Sequence, residues 1–238
     1  MMAHLVYGSL EPLDVLCIAP HPDDAEIGCG GTLAKARADG QRTGILELTR
    51  GEMGSKGTPE ERDAEALEAA RILGLSYRGN LRWKDGQVKD SDELCLWLAR
   101  SLRDLRPRVL LVPHQLDRHP DHIGAARVCV SALHLAGLRK AQLEGQPHKV
   151  KTVLSYQGNA PIQANALVDV SDHMDTWERA IMAHASQFTG ESVSETVSPE
   201  ILERRKARMM YWGTFIGVRY AEAYASRNPL EITPWSNP

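Results

Sequence analysis

Short apolar runs punctuate the chain, and between them lie longer segments with an apolar stripe at helical spacing. Leu13–Ala19, Thr43–Thr49, Val109–Val112, Val150–Ser155 and Ala166–Val170 have the length and content of strands. The first and third are apolar almost throughout, which predicts strands buried on both faces, as in a parallel sheet covered by helices. Thr32–Ala38 carries a helical stripe that Asp39 and Gly40 stop. A stronger helix start follows: Thr58 as N-cap, Pro59 in the first helical position and Glu61 three residues after the cap. That helix should run to about Leu73, with Gly74 as its C-terminal glycine. Further helices are expected from the Asp90/Glu93 region to about Leu105, from about Asp121 to Gly137, over Ser171–Ala185 and over Pro199–Met210. The polar stretch from Gln187 to Ser198 reads as a surface loop. Alternating strands and helices predict an α/β fold: three layers, αβα, with a mostly parallel, Rossmann-like sheet and helices on both faces. With no repeat, low-complexity tract or linker, residues 1–238 read as one domain.

Composition narrows the function classes. The chain has 28 Lys+Arg against 31 Asp+Glu, a formal charge of -3, so nothing points to a nucleic acid or an anionic membrane as partner. No apolar stretch approaches the ~20 residues that span a bilayer. The N-terminus lacks a basic region followed by an apolar one, so a cytoplasmic protein is expected. The four cysteines (Cys17, Cys29, Cys95, Cys129) are scattered, without a disulfide or zinc-finger pattern. Only two Phe are present, which leaves the core to aliphatic residues.

The chemistry sits where two apolar runs end. After Leu13–Ala19 come His21, Asp23 and Asp24; after Val109–Val112 come His119, Asp121 and His122. In open α/β sheets ligands bind outside the carboxyl ends of the strands, so two central strands would bring both clusters into one pocket. Imidazole with carboxylate suits zinc or, less specifically, ferrous iron. Catalytic zinc takes three protein ligands and keeps one position for water, whose pKa falls toward ~7. His21 and Asp24, three apart, can be aimed inward by one tight turn, and His122 can supply the third ligand. Asp23 is then free to act as general base. His119 can stabilise an oxyanion or protonate a leaving amine, with Asp121 as the neighbour that favours its protonated form. The pattern points to metal-assisted hydrolysis of an amide or ester. A sugar-binding module with a structural metal is the alternative, and a fourth strong protein ligand would mark it.

Gly28, Gly30 and Gly31 lie where a dinucleotide-binding loop would sit. A G-x-G-x-x-G pattern needs glycine at position 33, and Leu33 stands there. Tight turning and close packing account better for these glycines.

The stretches HPDDAEIGCGGTLA and DRHPDH together resemble the LmbE-like/PIG-L family of zinc-dependent N-acetylglucosaminyl deacetylases. LTRGEMGSKGTPEER, AGLRK, SQF and YWGTFIGVRYAE are similar to the branch that serves bacillithiol biosynthesis. The resemblance implies His21, Asp24 and His122 as metal ligands, Asp23 as base, His119 as the oxyanion and leaving-group histidine, and Asp121 as its tuner. It also implies Arg62 as a substrate anchor and N-acetyl-α-D-glucosaminyl L-malate as substrate; the two malate carboxylates would suit Arg62 and Arg118. Other GlcNAc-type substrates, a chitooligosaccharide or a mycothiol-like precursor, are the alternative. Relatives are often trimers or hexamers, so a homo-oligomer is expected. Some relatives carry a tyrosine near the last long helix to help the oxyanion. Here that place reads VSPEILERR, and Tyr156 or Tyr220 would have to stand in.

Overall fold

The computed structural model describes residues 3–188 and 199–230. Its strands are β1 (His4–Gly8), β2 (Val15–Ala19), β3 (Thr43–Thr49), β4 (Tyr77–Trp83), β5 (Val109–Pro113), β6 (Thr152–Tyr156), β7 (Ala166–Asp169) and β8 (Ala221–Ala225). The helices are α1 (Asp24–Ala38), α2 (Pro59–Leu73), α3 (Asp92–Leu105), α4 (Pro120–Gly137), α5 (Met174–Met182), α6 (Ala185–Phe188) and α7 (Pro199–Gly213). One eight-stranded sheet has the order β1-β4-β3-β2-β5-β6-β8-β7. From β4 to β6 neighbours are parallel; β1 pairs antiparallel with β4, and β8 pairs antiparallel with β6 and β7. The fold is therefore the expected mixed α/β sandwich, with a parallel centre and antiparallel flanks.

The two faces follow from the alternation of side chains along each strand. Leu16 and Ile18 of β2 join Leu94, Leu98 and Leu102 of α3 and Val128 and Cys129 of α4. Cys17 and Ala19 point the other way, against Leu33 and Ala34 of α1 and Ala70 and Leu73 of α2. A smaller cluster joins Trp177 and Ile181 of α5 to Leu202 and Met209 of α7. The helix signals of α2 are all realised. Thr58 Oγ1 accepts from the Glu61 N–H, Glu61 Oε2 accepts from the Thr58 N–H, and Gly74 closes the helix at φ 63°.

Several boundaries differ from expectation. Helix α1 begins at Asp24, not Thr32, and is broken at Cys29, whose φ of -154° and ψ of 20° are not helical. The break frees the amides of Gly31 and Thr32, and both donate to the Glu222 carboxylate of β8, at 2.9 and 2.8 Å. A side chain of the protein thus fills the place a phosphate would take. The glycines serve packing: a Cβ on Gly28 would lie 2.5 Å from the Tyr156 ring, and one on Gly31 would lie 2.9 Å from Val170. Strands β1, β4 and β8 are not among the expected elements. β4 is hidden by its polar residues. Arg78 is fully buried, yet it is clamped between Glu26 and Glu47, each at 2.5 Å, and Asn80 donates to Glu47 Oε2 and the Thr49 carbonyl. Of the polar stretch expected as a loop, Gln187 and Phe188 end helix α6, and residues 189–198 lie outside the described residues. None of the described helices is long and apolar enough to cross a membrane.

Candidate metal centre and active site

Strand order reverses between β2 and β5: from β2 the sheet grows to β3 and β4, and from β5 it grows to β6. This is the crevice in which α/β sheets place their ligands. His21, Asp23 and Asp24 follow β2, while His119, Asp121 and His122 open α4 after β5. All of these but Asp121 line one cleft of about 350 Å³, lined further by the 53–56 loop, Arg62, Asp85, Gln157 and Arg205.

The Asp24 carboxylate is the hub. Its Oδ2 lies 3.0 Å from His21 Nδ1 and 3.2 Å from His122 Nε2. The donor atoms of His21, Asp24 and His122 all fall within 4.8 Å of one another. The donors of a second group, His21, His119 and Asp121, lie equally close together, but Asp121 and one nitrogen of His119 are already engaged by backbone amides. Asp121 accepts from the amides of Gly86 (2.7 Å) and Val88 (3.2 Å), and His119 Nδ1 accepts from the Asp121 N–H (3.2 Å). The first group is the better fit for a cation. Among the described residues no fourth donor joins it, which is the count of a catalytic site with an open position, not a closed structural one.

Each candidate ligand ring also has a carboxylate behind its other nitrogen. His21 Nε2 faces Asp85 at 3.1 Å and Asp121 at 3.4 Å. Asp117 Oδ2 lies 3.3 Å from His122 Nδ1, off the line of a hydrogen bond but close enough to act through charge. Asp117 is itself fixed by the amides of His119 and Asn159, both at 2.8 Å. Carboxylates in this position set the tautomer and raise the basicity of metal-ligating histidines.

Charge follows the same geometry. Burial works against a charged His21, but the carboxylates of Asp121, Asp24 and Asp85 outweigh it and raise its pKa well above the usual value. For His122 burial is likewise outweighed, by Asp24 and Asp117, and its pKa rises to about 9. Asp24, although buried, is held well below the carboxylate range by His122 and His21. Two rings that favour the protonated form around a carboxylate held ionised make a site that attracts positive charge, and a divalent cation would displace the ring protons and meet that charge.

Asp23 is set differently. It is buried and sits at φ 100°, a conformation that L side chains rarely adopt, as the N-cap of α1. Strain of this kind is held by surrounding structure. Burial, then Asp24, pushes its pKa up, against the pull of Arg62 and His184, to about 6. Arg62 Nη2 lies 3.6 Å from Asp23 Oδ2, yet both terminal nitrogens donate elsewhere, to the Pro22 carbonyl at 2.7 Å and the Gly51 carbonyl at 2.9 Å. The pKa of His119 is lowered by burial and by His21 and His122. Asp121 and His119 do touch, but through the Asp121 backbone N–H; the Asp121 carboxylate reaches across to the 86–88 turn and His21.

Arg118 is exposed and does not line the cleft. Tyr156 lines it, but its hydroxyl donates to the Ile18 carbonyl at 3.0 Å. Tyr220 packs on the α5–α7 cluster and is not among the residues that line the cleft. Asp85, Asp117, Gln157 and Arg205 are the cleft-side residues that the sequence alone does not single out. Asp117, within DRHPDH, is the one with a visible signal.

Comparison with known proteins finds deacetylases among those the chain resembles. A family profile described as "PIG-L: GlcNAc-PI de-N-acetylase" matches residues 16–133. The diacetylchitobiose deacetylase of Thermococcus kodakarensis is 34% identical over 87% of this chain and 80% of its own length. A 1D-myo-inositol 2-acetamido-2-deoxy-alpha-D-glucopyranoside deacetylase of Thermomonospora curvata is 30% identical, with 69% of this chain and 67% of that one covered. The crystal structure of the conserved protein TT1542 from Thermus thermophilus superposes with a TM-score of 0.89, at 55% identity, over 95% of this chain and all of the other. The chain belongs to the PIG-L family of LmbE-like deacetylases.

Proposed function

We propose that the protein hydrolyses the acetamide of an N-acetylglucosaminyl conjugate, releasing acetate and the free amino sugar. The observation that carries this reading is the juxtaposition in one cleft of a three-donor cation site with a separate, buried carboxylate. His21, Asp24 and His122 would hold the metal, zinc or else ferrous iron, with Asp85 and Asp117 behind the two rings. A divalent cation bound there supplies Lewis-acid activation of water and of the amide carbonyl. Asp23, poised near 6, takes a proton from the attacking water and delivers it to the departing nitrogen. His119 accepts at Nδ1, which leaves its proton on Nε2, so the neutral ring can donate to the developing oxyanion. Arg62 fixes the backbone on either side: it ties Pro22, before Asp23, to Gly51 of the loop that follows β3.

The substrate we propose is N-acetyl-α-D-glucosaminyl L-malate, on the branch motifs of the sequence and on a cleft of about 350 Å³, room for a sugar with a small substituent. The names of the chitobiose and inositol-glycoside deacetylases support a second reading, another GlcNAc-type substrate, within the same chemistry. The test is amine release from the malate glycoside, diacetylchitobiose and free GlcNAc, before chelation, after it, and after metal return. Deacetylation lost on chelation and restored by metal is expected, with the malate glycoside preferred. Metal-independent turnover, or none on any of the three, would refute the reading.

A further inference from the structure

Folding does not leave a guanidinium buried against a ligand cleft without a carboxylate unless something else uses it. Arg205 of α7 is in that position. It is 8% exposed, lines the cleft, and Nη1 donates to the Gln157 carbonyl at 3.1 Å. Among the described residues no carboxylate lies within ion-pair distance of it. Asp24 and Asp117 act only at longer range, and burial, followed by the charge of Arg208, lowers its pKa to about 10.

The other buried arginines are accounted for. Arg78 sits between two glutamates. Arg103 spends its donors on the carbonyls of Ala136, Leu138, Leu143 and Gly145. Arg62 holds Pro22 and Gly51 beside Asp23. Lys56, the remaining cleft cation, donates to the Gln187 carbonyl. One turn after Arg205, Arg208 donates to the Gly158 carbonyl at 3.4 Å and lines the narrow recess beside the cleft. It adds positive charge behind Arg205 without neutralising it.

The geometry points to Arg205 as the anion-recognising residue of the cleft, one that binds a carboxylate on the part of the substrate beyond the acetylated sugar. This inference rests on the deacetylase reading above, and it selects acidic over neutral conjugates. It moves the anchoring role from Arg62 and Arg118 to a residue of the last long helix. Both terminal nitrogens of Arg62 are held by backbone carbonyls, leaving only its buried Nε without a partner, and Arg118 lies outside the cleft.

The test uses the full-length, metal-loaded enzyme and three glycosides of N-acetylglucosamine: the malate conjugate, its dimethyl ester and the methyl glycoside. The wild type should favour the diacid over the diester by at least about tenfold in kcat/KM, a comparison that needs no variant. Arg205→Met should lower kcat/KM on the diacid about 30-fold more than on the methyl glycoside, through KM. Arg205→Lys, which keeps charge but not the planar fork, should recover part of that difference. Parity of diacid and diester in the wild type would overturn the inference. So would equal losses on diacid and methyl glycoside, which would place Arg205 at the reacting centre or in the scaffold. Amine from none of the three would remove the deacetylase reading itself; amine from all at equal efficiency removes this inference alone.

Discussion

Replacing Asp23 by Asn should stabilise the metal-free protein while abolishing turnover. The carboxylate is buried, and its pKa rises from 3.8 to about 6, so ionisation works against the folded state by about 3 kcal/mol once the pH is above both values. Between 3.8 and about 6 the folded protein holds this proton more tightly than the unfolded chain does, so stability falls as pH rises through that window. Asn removes the charge and tolerates the backbone at φ 100° better than most residues. The expected gain is about 3 kcal/mol at pH 8 and about 0.5 kcal/mol at pH 4. At pH 8 that corresponds to roughly 6–12 °C in Tm for a chain of this size. Asp23→Gly should gain at least as much. It relieves backbone strain worth ~1–3 kcal/mol, offset by ~0.5–1 kcal/mol of glycine entropy. Urea denaturation in chelator at the two pH values measures the difference, and a deacetylation assay on the metal-loaded variants measures the loss. Returning metal should shrink the gain, because a nearby cation favours the wild-type carboxylate. An Asn variant no more stable than wild type at pH 8, or equally stabilised at pH 4, would refute the reasoning.

Three other outcomes are expected. Asp117→Asn, which removes the charge behind His122, should weaken metal affinity by ~10–100-fold with the fold retained, as read by competition with a chromophoric chelator. Gly28→Ala sets a methyl group against the Tyr156 ring and should cost ~1–3 kcal/mol in urea denaturation. Burial works against a charged Glu26, but Arg78 and then His184 outweigh it and hold its pKa near about 2. This pairing contributes about 3 kcal/mol that is complete above about 4.5 and is lost as pH falls through about 2. Glu26→Gln should therefore be less stable than wild type at pH 6 and should lose less on acidification, by thermal melts across that range.

The sequence made the centre of the sheet legible because β2 and β5 are apolar almost throughout, and their ends carry the groups that converge. It also announced α2 in full, since a capping box, a leading proline and a trailing glycine all act locally. The flanks were harder to read. β4 was concealed because the charge on Arg78 is cancelled by Glu26 and Glu47, neither of them near it in the chain. The start of α1 was concealed because its glycines look like a loop until Tyr156 and Glu222 are placed against them. The same divide runs through the site. His21, Asp24 and His122 come from two contiguous motifs, whereas Asp85 and Arg205 reach the cleft only through tertiary placement, from a turn after β4 and from a helix near the end of the chain.

The contact between Glu222 and the broken helix has a consequence for how the molecule can be cut. The region matched by the family profile stops at residue 133, yet the carboxylate that closes the gap in the helix carrying Asp24 comes from 191 residues beyond Gly31. A fragment ending soon after the second histidine motif would hold every proposed metal donor and still lack the clasp on their supporting backbone. Strand β8 is in this sense a keystone: the helix that opens at Asp24 is clasped by a residue far beyond the second histidine motif.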